Sequence, residues 1–381
     1  MKLKRVHYLL IAAVVAIVLI VVFMQGGEET GATIKIGIAG PITGPYAKFG
    51  EQLVLGTEVA VEKINAAGGL DGRLIEIVKG DDACEAKQAR SVANRMVSDG
   101  VHAVIGHFCS SSTIPASEVY AEANLLMITP ASTNPKVTDR ALPTIFRACF
   151  RDDQQGNYAG DYIANVLKPK AVAIIHDKDT YGQGLADATK ARLREKHGIT
   201  EVLYEGVTRG DKDFNSLVTK MKGLGVDMIY FGGLHTEAAL IVRQSREQGL
   251  NATFMSGDGL VTEEFAQLAG SAAEGVLMTF AADPSKLPGA KAVVDEFRAR
   301  GTEPEGWTLY SYMAMQVVFD AIRANGGSND GAKLGAYLKS HTIDTIMGPQ
   351  EWDEKGDPKV APLAVYRWEK QGDSYTYIQI Q

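Results

Sequence analysis

The chain has 381 residues, of which 45% are hydrophobic and 22% charged, with a formal net charge of -7. Length and apolar content suffice to bury more than one core. The acidic balance argues against a nucleic-acid partner, which would need a basic face, and three cysteines are too few for a disulfide scaffold.

Lys2, Lys4 and Arg5 precede an unbroken apolar run over residues 8–24, followed by a polar spacer over 25–32. That is the pattern of a targeting segment. The seventeen-residue run exceeds the roughly 7–15 of a signal-peptide core and just reaches the roughly 17–25 that span a bilayer. Two outcomes stay open, a cleaved signal peptide or an N-terminal hydrophobic helix retained as a membrane anchor. In either case the basic residues remain cytoplasmic and everything after about Ala32 is exported. Setting aside the three basic residues of the leader leaves 36 basic against 46 acidic side chains. Export to an oxidising space favours one disulfide, with Cys84 and Cys109 as candidates. Cys149, inside FRACF, reads as a small buried side chain.

Beyond residue 32, short apolar runs alternate with amphipathic stretches, the pattern of β-α units around mostly parallel sheets. Strands are expected at 34–40, 73–80, 102–106 and 125–130, with helices at 51–69 and 84–100. The alternation restarts after FRACFRDDQQG, with strands at 170–178, 202–208, 227–233, 253–259 and 275–282. Helices are expected at 181–198, 214–225, 236–249, 307–327 and 331–341. Two such units without a Gly/Ser-rich linker imply two lobes and a cleft between them, the usual place for a small ligand.

Enzyme motifs fail one by one. The chain has no G-x-S-x-G elbow, no phosphate loop and no H-E-x-x-H zinc helix. YGQGLAD lacks the third glycine of a dinucleotide site, and the histidines of IHDKD and GLHTE stand alone, as capping or core residues do. His107 and Cys109 share a side of an extended segment, but an exported Cys109 is better read as oxidised than as a thiolate nucleophile. Neither a cofactor nor a metal site is expected.

In GHFCSSSTIPAS, residues 106–117, a glycine ends a strand and hydroxyls open a helix. Ser110 would then meet an anion where free backbone N–H groups and the helix dipole converge. Ser111, Ser112 and Thr113 fit plain capping or first-turn roles, and Pro115 fits an early helical position. At this stretch the chain resembles the periplasmic leucine/isoleucine/valine-binding proteins of bacterial ABC transporters. Further likeness lies in KIGIAGPITGPYAKFGEQ (35–52), INAAGGLDGRLIEIVKGDDAC (64–84), ITPASTNP (128–135), IIHDKDTYGQGLA (174–186), DMIYFGG (227–233) and MGPQEWDEKGD (347–357), all in family order.

The resemblance implies an α/β type I periplasmic binding protein fold, two Rossmann-like doubly wound lobes joined by three hinge crossings. Lobe 1 would span 33–151 and 282–358, and lobe 2 would span 152–281 and 359–381. It implies a non-enzymatic receptor that captures a branched-chain or other small neutral amino acid and delivers it to an inner-membrane ABC permease. A membrane-tethered sensory domain is the alternative. A monomer in the periplasm or on the outer face of the cytoplasmic membrane is expected.

By the same resemblance Cys84 pairs with Cys109, which borders the site, and Ser110 binds the ligand carboxylate. Ala131 offers a carbonyl to the ammonium, Thr133 a hydroxyl and N–H to the carboxylate, and Asp258 an acid to the ammonium. Phe49, Phe108, Tyr181 and Trp307 enclose the side chain. Without the resemblance, Asp258 reads as a turn residue and each aromatic as core. Leu234 stands where branched-chain binders commonly place a tyrosine, and Asp258 is one methylene shorter than the usual glutamate. With the bulky Phe108, these departures extend the expected ligands beyond leucine, isoleucine and valine.

Overall fold

The computed structural model describes residues 33–381. The leader and its two expected fates lie outside the described residues. Lobe 1 is built on five parallel strands, β1 (Ile34–Gly40), β2 (Ile75–Asp81), β3 (Ala103–Gly106), β4 (Leu126–Thr129) and β5 (Ile145–Arg147), in the order β2-β1-β3-β4-β5. β3 and β4 are buried at every position, as strands covered on both faces must be. Helices α1 (Ala47–Ala66), α2 (Ala86–Ser98) and α3 (Ser110–Glu122) connect them.

α1 begins four residues earlier than its apolar spacing suggests, because Phe49 and Gly50 are already buried within it. α2 starts two residues late, since Cys84 stands before it with φ 60°. Pro115 sits inside α3, beyond the first turn, where its missing N–H removes a helical bond. The expectation of an early helical position is corrected accordingly.

Lobe 2 contains α4 (Asp152–Tyr162), β6 (Val172–His176), α5 (Thr180–His197), β7 (Leu203–Gly206), α6 (Asn215–Gly223), β8 (Met228–Gly232), α7 (His235–Glu247), β9 (Thr253–Ser256), α8 (Glu263–Ala269) and β10 (Leu277–Ala281). The chain then returns to lobe 1 through α9 (Lys291–Ala299), α10 (Thr308–Ala324), which packs on α1, and α11 (Gly331–Ser340), which packs on β4. After the short pair β11 (Ile343–Thr345) and β12 (Gly348–Gln350), it crosses back to add the hairpin β13 (Leu363–Gln371) and β14 (Ser374–Gln379) to the second sheet. That sheet runs β14-β13-β10-β9-β8-β6-β7, with β13 and β14 antiparallel. Three crossings therefore join the lobes, after β5, after β10 and before β13.

β1 lies between β2 and β3, and β6 between β7 and β8. Strand order reverses beside these two strands, and in open α/β sheets a ligand crevice forms outside the carboxyl ends of strands at such a point. The turn after β3 depends on Gly106, whose φ is +137° and whose added Cβ would lie 2.2 Å from the Ala39 carbonyl oxygen. Gly106→Ala is expected to destabilise the protein by about 2–5 kcal/mol, summing backbone strain and overpacking. The midpoint of urea unfolding checks this; an unchanged midpoint would show that the turn can relax.

Candidate functional site

Except Trp307, which precedes α10, each residue singled out above sits on a loop leaving the carboxyl end of a strand or on the helix that follows. Phe108, Cys109 and Ser110 follow β3, Ala131 follows β4, Tyr181 opens α5 after β6, Leu234 follows β8 and Asp258 follows β9. These seven, together with Arg209 beyond β7, line one tight cavity between the lobes. A larger hollow lies beside β14 and contains none of the residues singled out from the sequence.

Three expected residues stand outside the cavity wall. Phe49 is stacked on Phe108 with ring centroids 4.4 Å apart, one layer back. Trp307 meets Phe108 edge-on at 6.5 Å and belongs to an aromatic cluster with Phe150, Phe280 and Tyr310 at the lobe crossings. Thr133 is buried with no hydrogen-bond partner for Oγ1, while its carbonyl accepts from the Asp152 N–H at 2.9 Å.

The start of α3 carries a positive electrostatic character without a capping side chain. Its N-cap is Cys109, which makes no side-chain cap; the Ser112 and Thr113 amides donate to the Cys109 carbonyl, and the amides of Ser110 and Ser111 keep their donors for another acceptor. The Ser110 hydroxyl accepts from the Asn134 N–H at 3.3 Å and retains its own proton to donate. Thr113 bonds the Ser132 hydroxyl at 2.5 Å, and the Ser111 and Ser112 hydroxyls are buried without partners. None of these hydroxyls caps the helix; Ser111, Ser112 and Thr113 hold the first-turn positions that were the other expectation for them.

Asp258 lies opposite, on lobe 2. It is 3% exposed and accepts from the Tyr181 hydroxyl at 3.0 Å, while that same oxygen accepts from the Gly259 N–H at 3.0 Å. Burial raises the Asp258 pKa to about 6, against the opposing pull of hydrogen bonds from Gln155 and Tyr181. Burial and the nearby Asp258 charge also push the Tyr181 phenol well up, so it stays a neutral donor. Close approach of this hydroxyl requires Gly257, where an added Cβ would lie 2.4 Å from Leu185 and 3.0 Å from the Tyr181 oxygen.

Cys109 is bonded to Cys84, with Cα atoms 5.4 Å apart. The two segments are clamped a second time. Asp82 accepts from the Cys84 N–H at 2.8 Å and meets the His107 Nδ1 at 2.5 Å, while His107 Nε2 bonds the Tyr120 hydroxyl at 3.0 Å. His107 therefore serves the scaffold and has no thiolate to activate. Cys149 is buried and free, and burial pushes its thiol up. The histidines of IHDKD and GLHTE are also structural, since His176 Nδ1 accepts from the Lys178 N–H and the buried His235 pairs with Glu264 at 3.0 Å.

Two groups were missed. Asp152, at the start of α4, is buried, and burial followed by the Asp258 charge pushes its carboxyl well up against the opposing pull of the neighbouring Thr133 hydroxyl. Arg209 reaches the cavity from the β7 loop, its Nε on Asp177 at 2.7 Å and its Nη1 on Asp179 at 3.0 Å. The sequence signal was slight: paired acids at a lobe crossing for Asp152, and an arginine just past a strand's carboxyl end for Arg209. Among the described residues no group of three or more acidic, histidine or cysteine side chains is placed to hold a metal ion.

Comparison with known proteins agrees with this architecture. The profile of the family described as periplasmic binding protein matches residues 33–373. An amino acid binding protein of Pseudomonas aeruginosa is 61% identical over 344 residues, covering 90% of this chain and 91% of that protein. A Leu/Ile/Val-binding protein homolog 1 of Brucella suis is 49% identical over 355 residues, covering 93% and 95%. Among solved structures, the branched-chain amino acid substrate-binding protein LivJ of Streptococcus pneumoniae, in complex with isoleucine, aligns with a TM-score of 0.80 at 28% identity, covering 91% of this chain and all of that one. The chain therefore belongs to the periplasmic binding protein family, a family of solute-binding receptors.

Proposed function

We propose that this receptor captures a small neutral amino acid as its zwitterion between the lobes and presents the closed form to an inner-membrane ABC permease. One observation carries the reading: a helix start without a side-chain cap on lobe 1 and a buried acid on lobe 2 line the same small cavity. The α-carboxylate would accept from Ser110 and the first amides of α3, with Thr133 beside them. The ammonium would lie against Asp258, with the Ala131 carbonyl as a further acceptor. A charge-assisted bond of this kind is worth about 1.5–3 kcal/mol.

Because Ser110 and Asp258 stand on different lobes, one ligand bonded to both favours closure over opening. Asn134 Nδ2 already bridges the lobes to the Thr180 carbonyl at 2.9 Å, and Gln52 Nε2 to the Val261 carbonyl at 3.1 Å. The relatives' names support a binding role in the periplasm, and Cys109, tied up in a disulfide, offers no thiolate for turnover; a monomer is the form we propose.

A calorimetric screen of the purified protein against the common amino acids tests the reading. Neutral amino acids are expected to bind, and Ser110→Ala to weaken them about 10- to 100-fold, by loss of a hydrogen bond to a charged group. Binding of sugars alone, or of dicarboxylates alone, would overturn it.

A further inference from the structure

Arg209 is held on three sides. Its Nε donates to Asp177 at 2.7 Å, its Nη1 pairs with Asp179 at 3.0 Å, and its guanidinium carbon lies 5.3 Å from the centre of the Tyr46 ring. Tyr46 belongs to lobe 1 and Arg209 to lobe 2, so the ring covers the guanidinium where the lobes meet. Nη2 is left over. It is buried and has no hydrogen-bond partner, and Arg209 forms part of the ligand cavity wall. A buried, immobilised donor left unpaired is costly, and a ligand acceptor would relieve that cost.

The zwitterion's own charges have other partners in the proposed mode, Ser110 and the α3 amides for the carboxylate and Asp258 for the ammonium. The acceptor for Nη2 then belongs to the ligand's side chain. Its charge can also be argued. Asp177 and Asp179 flank the guanidinium, and Glu237 lies nearby, accepting from the Gly210 N–H at 2.9 Å. Such a setting offers no net positive field to a side-chain carboxylate, whereas a hydroxyl or amide oxygen needs only the N–H. Of the other wall residues without a role toward the zwitterion, Phe108 and Leu234 are apolar, Cys109 is tied up in the disulfide, and the Tyr181 hydroxyl is already bonded to Asp258 and the Gly259 N–H.

We infer that Arg209 is a specificity-determining residue that selects amino acids bearing a neutral oxygen acceptor on the side chain over apolar amino acids of the same shape. This deepens the amino-acid reading and rests on it. A site that presents a buried donor discriminates strongly against a ligand that leaves the donor unpaired.

Calorimetric titration of the purified protein with shape-matched pairs tests the inference: threonine with valine, asparagine with leucine, glutamine with methionine. In at least one pair the oxygen-bearing member is expected to bind at least about tenfold more tightly, the effect of one unmade bond of about 1.4 kcal/mol. Arg209→Met should bring that ratio to within about threefold. Arg209→Lys, which keeps a charge between Asp177 and Asp179 but cannot supply the third nitrogen, should do the same and guards against a folding defect in the first variant.

Equal or tighter binding of all three apolar partners would overturn the inference, as would a ratio unchanged in both variants or tightest binding of aspartate or glutamate. An equal loss for both members of each pair would place Arg209 on the α-carboxylate and overturn it too. If no amino acid binds at all, the amino-acid reading fails and takes this inference with it; binding without oxygen preference sinks this inference alone.

Discussion

Asp258→Ala is expected to weaken amino-acid binding by about 2–5 kcal/mol, from about thirtyfold to several-thousandfold, because it removes one partner of a buried charge pair and strands the ligand ammonium. The same carboxylate makes binding pH-dependent. In the unliganded protein burial raises its pKa to about 6, whereas an ammonium beside it favours the ionised form. Binding below pH 6 must therefore release a proton. Affinity should be flat above about pH 7 and should fall by up to about tenfold per pH unit below 6.

The linkage has the opposite consequence for the empty protein. A carboxyl with a raised native pKa binds its proton more tightly folded than unfolded, so its contribution to stability is greatest below about pH 4 and declines as the pH rises to 6. At neutral pH Asp258 costs the unliganded protein roughly 3 kcal/mol. Asp258→Asn should thus unfold no earlier than the parent at pH 7 while losing both affinity and the pH slope. Asp152, also buried and also pushed up, is the control: Asp152→Asn should keep the slope. Calorimetry between pH 5 and 8 reads both variants, and a slope that survives in Asp258→Asn would remove Asp258 from the ammonium site.

Much of the architecture was legible because β-α alternation repeats over long segments and parallel strands such as IKIGIAG and VAIIH read as apolar runs. What escaped is local and weakly patterned. β5 has three residues, IFR. α4 opens on DDQQG, five residues without an apolar face. β13 and β14 form a hairpin at the sheet edge in which β13 is buried at Ala364, Val365, Tyr366 and Trp368 while β14 has no buried residue, too short and mixed a signal to read as a strand pair.

The site divides in the same way. Ser110 and Asp258 announce themselves as a hydroxyl and an acid just past strand ends, and the cysteine pair follows from compartment and resemblance. Arg209 is different, since its role is set by Asp177, 32 positions away, and by Tyr46 on the other lobe. An aromatic residue in a sequence likewise does not say whether it faces a cavity or backs one that does. Phe108 faces the cavity, whereas Phe49 and Trp307 stand behind it.

Asp357→Ala is expected to cost about 3–5 kcal/mol of stability, the penalty for leaving a buried charge without its partner. Arg147 is fully buried at the end of β5, with Nε on Asp357 at 2.6 Å, Nη1 on the Ser132 carbonyl at 2.9 Å and Nη2 on the Asn134 carbonyl at 3.0 Å. Asp357 also takes Arg151 Nη1 at 2.7 Å and the Thr138 hydroxyl at 2.6 Å. It lies just before the crossing to β13 and Arg147 just before the crossing to α4, so the pair ties two crossings together. Ser132 and Asn134 flank Thr133, which couples the same network to the carboxylate loop. Weaker ligand binding should therefore accompany the loss of stability. A surface ion pair calibrates the expectation: Lys355 meets Asp139 at 2.9 Å with both side chains more than 40% exposed, and Lys355→Ala should cost no more than about 1 kcal/mol. If urea unfolding gave the two variants equal losses, solvent would have to reach Arg147 as readily as it reaches Lys355, and the crossings would owe their position to packing alone.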